Sequence, residues 1–156
     1  MIIRRAKAID LEGINKLLYQ VCMVHHTGRP DLFRAGAKKY TDKELLVIVG
    51  DDEKPIFVAV DEQDTVLGYA FCVFQKPDGK GALCPVKTLY IDDLCVDETL
   101  RGQHIGKSLY EEVLRFAKEQ GCYNVTLNVW SLNESAMKFY EACGLKPQKV
   151  GMEVIL

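Results

Sequence analysis

The 156 residues predict a single α+β domain, residues 1–156. Helical and strand periodicities alternate along the chain, with no linker, repeat or low-complexity stretch between them. Three strand-like runs follow one another at 56–60, 66–74 and 87–96, which favours an antiparallel meander over a doubly wound parallel sheet. A strand, a short glycine loop and a helix start then succeed one another between residues 88 and 108. That order aims open backbone N–H groups, and the positive end of a helix dipole, at whatever anion docks there.

Residues 2–6 read as a short strand, and Asp10 is placed to cap a helix with Leu11, Ile14, Leu17, Leu18 and Val21 on one face. His25-His26-Thr27-Gly28-Arg29-Pro30-Asp31 reads as a loop by its Gly and Pro content. Residues 32–49 lean helical but break around Tyr40-Thr41-Asp42. Asp61-Glu62-Gln63-Asp64 and the Pro/Gly-rich 76–81 supply turns between the middle strands. From Ile105, the stripe Leu109, Val113, Phe116 and Ala117 predicts a helix, with Glu111 and Arg115 as an i,i+4 pair and Gly121 as its left-handed stop. Tyr123, Val125, Leu127 and Val129 alternate as in a half-buried strand. Ser131 or Asn133 caps a further helix ending at Cys143-Gly144, and residues 150–156 are expected to close with another strand.

Composition narrows the function. Hydrophobic residues make up 48% and charged residues 27%, ordinary for a soluble globular chain. A net charge of −2 without a Lys/Arg block gives no bulk attraction to nucleic acid. The N-terminus runs straight into mixed charge, and no apolar run reaches transmembrane length, so no membrane partner is expected and a cytoplasmic location is the default. The six cysteines form no Cys-x-x-Cys pair and sit mostly inside apolar patterns, as small hydrophobes would in a reducing compartment. No metal site is expected, since the adjacent His25 and His26 have no supporting Cys or carboxylate cluster in the pattern.

The loop Arg101-Gly102-Gln103-His104-Ile105-Gly106-Lys107-Ser108 admits three phosphate-binding readings. A Walker A loop needs four residues between Gly and Gly-Lys-Ser/Thr, whereas only three separate Gly102 from Gly106. A dinucleotide fingerprint needs three glycines within a parallel βαβ unit, and neither is found. The third reading is a pyrophosphate loop for an acyl-coenzyme A. Val96-x-x-x-x-Arg101-Gly102-x-x-Ile105-Gly106-x-x-Leu109 resembles motif A of the GNAT superfamily of N-acetyltransferases. Asn133-x-x-Ala136-x-x-Phe139-Tyr140-x-x-x-Gly144-Leu145 resembles that superfamily's motif B, in the right order and on the right elements. One departure is His104, where the family usually carries Gly; the backbone N–H survives, but φ and ψ are then restricted.

The resemblance implies a mixed, mostly antiparallel twisted sheet of about six to seven strands, flanked by about four helices and splayed at strands 4 and 5. It implies acetyl transfer from acetyl-CoA to an amine by direct attack in a ternary complex. The amides of Gln103, His104, Ile105, Gly106, Lys107 and Ser108, with Arg101 and Gly102, would hold the pyrophosphate. The strand edge at Leu94, Cys95 and Val96 would pair with the pantetheine arm, and Asn133 would touch it.

Tyr140 matches the position of the family's tyrosine general acid, although a half-buried aromatic on an amphipathic helix is its plain structural reading. The run Leu89-Tyr90-Ile91-Asp92-Asp93-Leu94 resembles that of spermidine/spermine acetyltransferases, with Asp92 at the general base and Asp93 as a structural neighbour or substrate contact. Strand alternation would send those two carboxylates to opposite faces.

The acceptor groove in this family is lined by the first two helices and their loop, here residues 22–42. His25, His26, Arg29 and Tyr40 are the residues there suited to shaping a substrate site. Arg29 would suit a carboxylate-bearing acceptor, whereas acidic residues would suit a polyamine-like one. The expected partner is a small amine; a protein amine, or a non-catalytic acyl-CoA-binding role for the same fold, are the alternatives. Homodimers are common in the superfamily, and the apolar Met152-Glu153-Val154-Ile155-Leu156 would complete the sheet or serve as an interface strand.

Overall fold

The computed structural model describes residues 1–156. Its five strands, β1 (Ile2–Arg5), β2 (Ile56–Val60), β3 (Val66–Gln75), β4 (Thr88–Val96) and β5 (Asn124–Leu127), lie side by side in chain order. The first three pairings are antiparallel and β4 with β5 is parallel, so the meander read from the sequence is extended by one crossover. That crossover is the helix α3 (Ile105–Glu119). α1 (Leu11–Gly28) and α2 (Asp42–Val49) precede β2, and α4 (Glu134–Ala142) follows β5.

The helices sandwich the sheet. Ile14, Leu17 and Leu18 of α1 and Leu45 of α2 pack on Val58, Tyr69, Phe71 and Cys95 on one face. On the other face Ile105, Leu109, Val113 and Ala117 of α3 pack on Phe57, Ala59, Ala70, Cys72, Leu89 and Ile91. The alternation of β2 and β3 residues between these two cores is the period-2 pattern of a strand buried on both sides. No helix is long and apolar enough to cross a membrane.

Two local features build the cleft. β5 pairs with β4 only from Thr88 to Ile91, so the β5-facing edge of Asp92 to Val96 runs on beyond that ladder. A β-bulge also interrupts β4, since Phe71 faces Asp93 and Cys72 faces Ile91, leaving Asp92 without an opposite residue. An inserted residue reverses strand alternation. Leu89 and Ile91 therefore enter the α3 core, whereas Cys95 enters the α1/α2 core.

Several expectations are corrected. The sheet has five strands, not six or seven. Residues 150–156 alternate suitably but have no ladder partner, so they form no strand, and Met152, Val154, Ile155 and Leu156 are exposed. His25 and His26 lie in the last turn of α1 rather than in a loop. The helix runs through Gly28, a position where a side chain would not fit: a Cβ there would sit 2.3 Å from Leu132 Cδ1.

Of residues 32–49, only Asp42–Val49 is helical, opened by a Thr41/Glu44 capping box. Asp10 does not cap α1 with its side chain; it is buried and takes two hydrogen bonds from Arg4, at 2.7 and 3.0 Å. Arg115 pairs with Glu112 and Glu119, while Glu111 faces Lys107. Among the cysteines only Cys72 and Cys95 are buried, and Cys84 is exposed.

Candidate active site

The cleft opens along the free edge of β4. Leu94, Cys95 and Val96 pair with Ala70, Tyr69 and Gly68 of β3, so their backbone is held on one side only. β3 and β4 approach closely at Gly68, where a Cβ would lie 2.9 Å from the Cys95 carbonyl oxygen and 3.1 Å from Leu109 Cδ1. Asp97 then ends the strand: its carboxylate accepts from the Thr99 amide and hydroxyl and from Lys16 Nζ at 2.7 Å. These donors, Lys16 foremost, hold its carboxyl down to about 2.

The chain next turns through exposed Arg101, Gly102 and Gln103 into the α3 N-terminus. Gly102 (φ +83°) and His104 (φ 61°, ψ 10°) both adopt the left-handed conformation. The usual Gly is thus replaced by a residue for which that backbone is strained. Ile105 is buried and anchors the turn from below. The Ser108 amide closes the first helical hydrogen bond onto the His104 carbonyl, and the Ser108 hydroxyl joins it. The amides of Ile105, Gly106 and Lys107 accordingly lie at the open helix start. Lys107 is exposed and loosely paired with Glu111.

Both carboxylates after Ile91 reach the same face, because of the bulge. Asp92 Oδ2 accepts from the Tyr40 hydroxyl at 2.5 Å and from Lys39 Nζ at 2.7 Å. Asp93 Oδ2 accepts from the Tyr69 hydroxyl at 2.8 Å. Phe71 links the two tyrosine rings, stacked on Tyr40 and edge-on to Tyr69. The opposite-face expectation for these acids is thereby overturned.

Burial pushes the Asp93 carboxyl up to about 6, with the Asp92 charge adding to the rise and the Tyr69 hydrogen bond and Lys39 opposing it. Tyr40 and Tyr69 are both held above the usual phenol range, first by burial and then by their acidic partners. Neither Lys39 nor Tyr69 stood out in the sequence; Tyr69 lay within an apolar strand and Lys39 within an irregular segment.

Tyr140 projects from α4 edge-on to Phe139. Burial raises its phenol above the usual range, and the nearby Asp93 charge adds to this, so the group remains a protonated donor. Cys95 is pushed up to about 12 by burial and is a neutral thiol. Asn133 caps α4, its side-chain oxygen accepting from the Ala136 amide at 3.2 Å.

The α1–α2 segment divides. Tyr40 joins the carboxylates. The Lys39 charge, after burial, lowers His25, whose ring packs on Phe33. His26 Nδ1 contacts the Phe33 carbonyl at 2.6 Å. Arg29 is already engaged by two carboxylates, Asp31 and Glu153, the latter tying down the C-terminal tail.

The arrangement offers a cleft with an open strand edge, a helix start that can receive an anion, two carboxylates and a half-buried phenol. Comparison with known proteins agrees with this geometry. A profile described as the Acetyltransferase (GNAT) family matches residues 19–145. The chain is 33% identical over 79 residues to the thialysine N-epsilon-acetyltransferase of Bos taurus, covering 51% of this chain and 44% of that protein. It is 32% identical over 110 residues to the peptidyl-lysine N-acetyltransferase YjaB of Escherichia coli, covering 70% and 62%. The chain thus spans about half the length of the curated relatives it matches. A crystal structure of a mutant BH1408 protein from Bacillus halodurans superposes with a TM-score of 0.96, at 32% identity, over 100% of this chain and 99% of that one. With the profile covering most of the chain and the fold shared end to end, this protein belongs to the acetyltransferase (GNAT) family.

Proposed function

We propose that the protein is an acetyl-CoA-dependent N-acetyltransferase whose acceptor is a primary amine on a flexible aliphatic chain. The observation that carries this reading is the free β4 edge running directly into the open α3 N-terminus, with two carboxylates and a phenol beside it. Acetyl-CoA supplies an activated acetyl thioester. The amides of Ile105, Gly106 and Lys107, with Arg101 and Gln103, are the donors for its pyrophosphate, and the backbone of Leu94, Cys95 and Val96 is the edge for its pantetheine arm. Asn133, whose oxygen caps α4, has its amide nitrogen left over from that bond for the same arm.

An alkylamine is mostly protonated at neutral pH, and removing its proton costs about 4–5 kcal/mol. Asp92 is the group to receive that ammonium and its proton, since it already binds one lysine ammonium at 2.7 Å. Asp93, half-buried beside it and raised to about 6, keeps the local field negative as it ionises near neutrality and draws a cation inward. Tyr140, a desolvated phenol held protonated, is the donor for the departing thiolate. Tyr40 orients Asp92 through its 2.5 Å hydrogen bond.

The acceptor class rests on charge. Asp92 and Asp93 favour a cationic amine, and Arg29 is neutralised by Asp31 and Glu153, which removes the case for a carboxylate-bearing acceptor. The names of the two curated relatives, thialysine N-epsilon and peptidyl-lysine, point to the same kind of amine. Calorimetric titration with acetyl-CoA, followed by thiol release over a panel of diamines, polyamines and lysine peptides, tests the reading. Binding with turnover on alkylamines is expected, and Tyr140→Phe and Asp92→Asn should each lower kcat about a hundredfold. A folded protein that binds no acetyl-CoA would refute it.

A further inference from the structure

One amine of the chain already stands beside the carboxylate proposed to receive an external acceptor. Lys39 Nζ lies 2.7 Å from Asp92 Oδ2 and 3.5 Å from the Asp92 backbone oxygen. Its charge is felt by Asp93 from one side and by His25 from the other. It also sits 5.6 Å from the centre of the Tyr40 ring, whose hydroxyl shares the same Asp92 oxygen. The Asp92 side chain is 19% exposed, whereas the Lys39 side chain is 44% exposed, so the amine stays open to a reagent from solvent while its carboxylate partner is sheltered.

The segment carrying Lys39 is fastened at both flanks. Lys38 Nζ donates to Asn15 of α1 at 2.6 Å and also engages Asp42, and Thr41 opens α2 with a capping box. The ε-amine is therefore delivered to the carboxylate by the fold, at the effective concentration of an intramolecular group.

We infer that Lys39 is a self-acetylation site, its ε-amine accepting an acetyl group in cis at the cleft that receives external amines. The inference rests on the transferase reading above. In the step, the Lys39 ammonium gives one proton to the Asp92 carboxylate. The nitrogen lone pair forms a bond to the acetyl carbonyl carbon, and the carbon–sulfur bond breaks with its electrons on sulfur. The sulfur takes the Tyr140 proton, the second proton lost by nitrogen restores the phenol through solvent, and Asp92 releases the first proton to solvent and is a carboxylate again. The amide formed carries no charge, so the modification dissolves the Lys39–Asp92 ion pair and leaves Asp92 open to an external cation.

The test incubates the full chain with acetyl-CoA and maps acetylated lysines by peptide mass spectrometry against time, with thiol release on the amine panel followed in parallel. Lys39 should be acetylated about tenfold or more faster than the exposed Lys80, at a rate independent of protein concentration. Tyr140→Phe should slow the Lys39 mark while leaving the background on Lys80 unchanged. Lys39→Arg should lose the mark yet still acetylate external amines. Turnover of external amines with Lys39 modified no faster than Lys80 would overturn the inference and leave the transferase reading standing. A rate on Lys39 proportional to protein concentration would overturn the intramolecular step. If neither Lys39 nor any external amine is acetylated, the transferase reading itself fails, and the inference with it.

Discussion

Replacing Asp93 by Asn should make the protein more stable at neutral pH and above, and leave it unchanged in acid. The native carboxyl is raised from 3.8 to about 6, chiefly by burial. In the unfolded chain the same group ionises near its ordinary value, so between those limits the folded state holds a proton that the unfolded state has lost. Stability contributed by this group therefore falls as pH rises through that window, and the full penalty is present above it. At about 1.4 kcal/mol per tenfold in proton affinity, the penalty is about 3 kcal/mol. Asparagine removes the charge while its amide oxygen still accepts from the Tyr69 hydroxyl, now 2.8 Å from Asp93 Oδ2. Denaturant unfolding of the two proteins at pH 7.5 should give a gain of about 2–3 kcal/mol for Asp93→Asn, shrinking towards zero at pH 4. An equal difference at both pH values, or a loss at pH 7.5, would refute the assignment of a desolvated, reluctantly ionised carboxyl.

Other outcomes follow from the same geometry. His104 holds a left-handed backbone, so His104→Gly should raise stability by about 0.5–1 kcal/mol, the strain relieved being partly offset by glycine's greater unfolded entropy; thermal denaturation with and without acetyl-CoA reads this. Asp97→Asn should lose about 1–2 kcal/mol at pH 7, discounted for the exposure of Lys16. Because the folded carboxyl is held down to about 2, that loss should vanish as the pH falls from about 4 to 2. Gly68→Ala places a methyl 2.9 Å from the Cys95 carbonyl oxygen and should destabilise by about 1–3 kcal/mol, with weakened coenzyme binding because the β4 edge must move; calorimetric titration and urea unfolding measure the two effects.

The bulge at Asp92 explains why the carboxylates act as a group. Without it, Asp93 and Cys95 would continue the alternation of Leu89 and Ile91 into the α3 core, away from α1 and α2. With it, Asp92 and Asp93 share one face and repel one another, and the two hydroxyls of Tyr40 and Tyr69 become their donors. The ion pair between Lys39 and Asp92 partly relieves that repulsion from outside.

The helix α3, its glycine loop, the cap of α4 and the order of the middle strands were all legible in the sequence, because each is set by neighbours within a few residues. The strain foreseen at His104 belongs to the same class, since φ at one residue is a local matter. The positions carrying the family resemblance lie on those local elements, which is why the family could be read before the geometry was known.

What required the tertiary structure is everything that depends on a partner far along the chain. The register slip between β3 and β4 places Asp92 and Asp93 together, and no pattern within β4 encodes it. Leu132 packs over Gly28 at the end of α1 and leaves no room there for a side chain, and residues 150–156 remain unpaired although their alternation suits a strand. Lys39 and Tyr69 join the site across 53 and 24 residues of sequence. Local periodicity determines which elements form; the packing of distant elements decides which faces meet, and with them which charges must share a site.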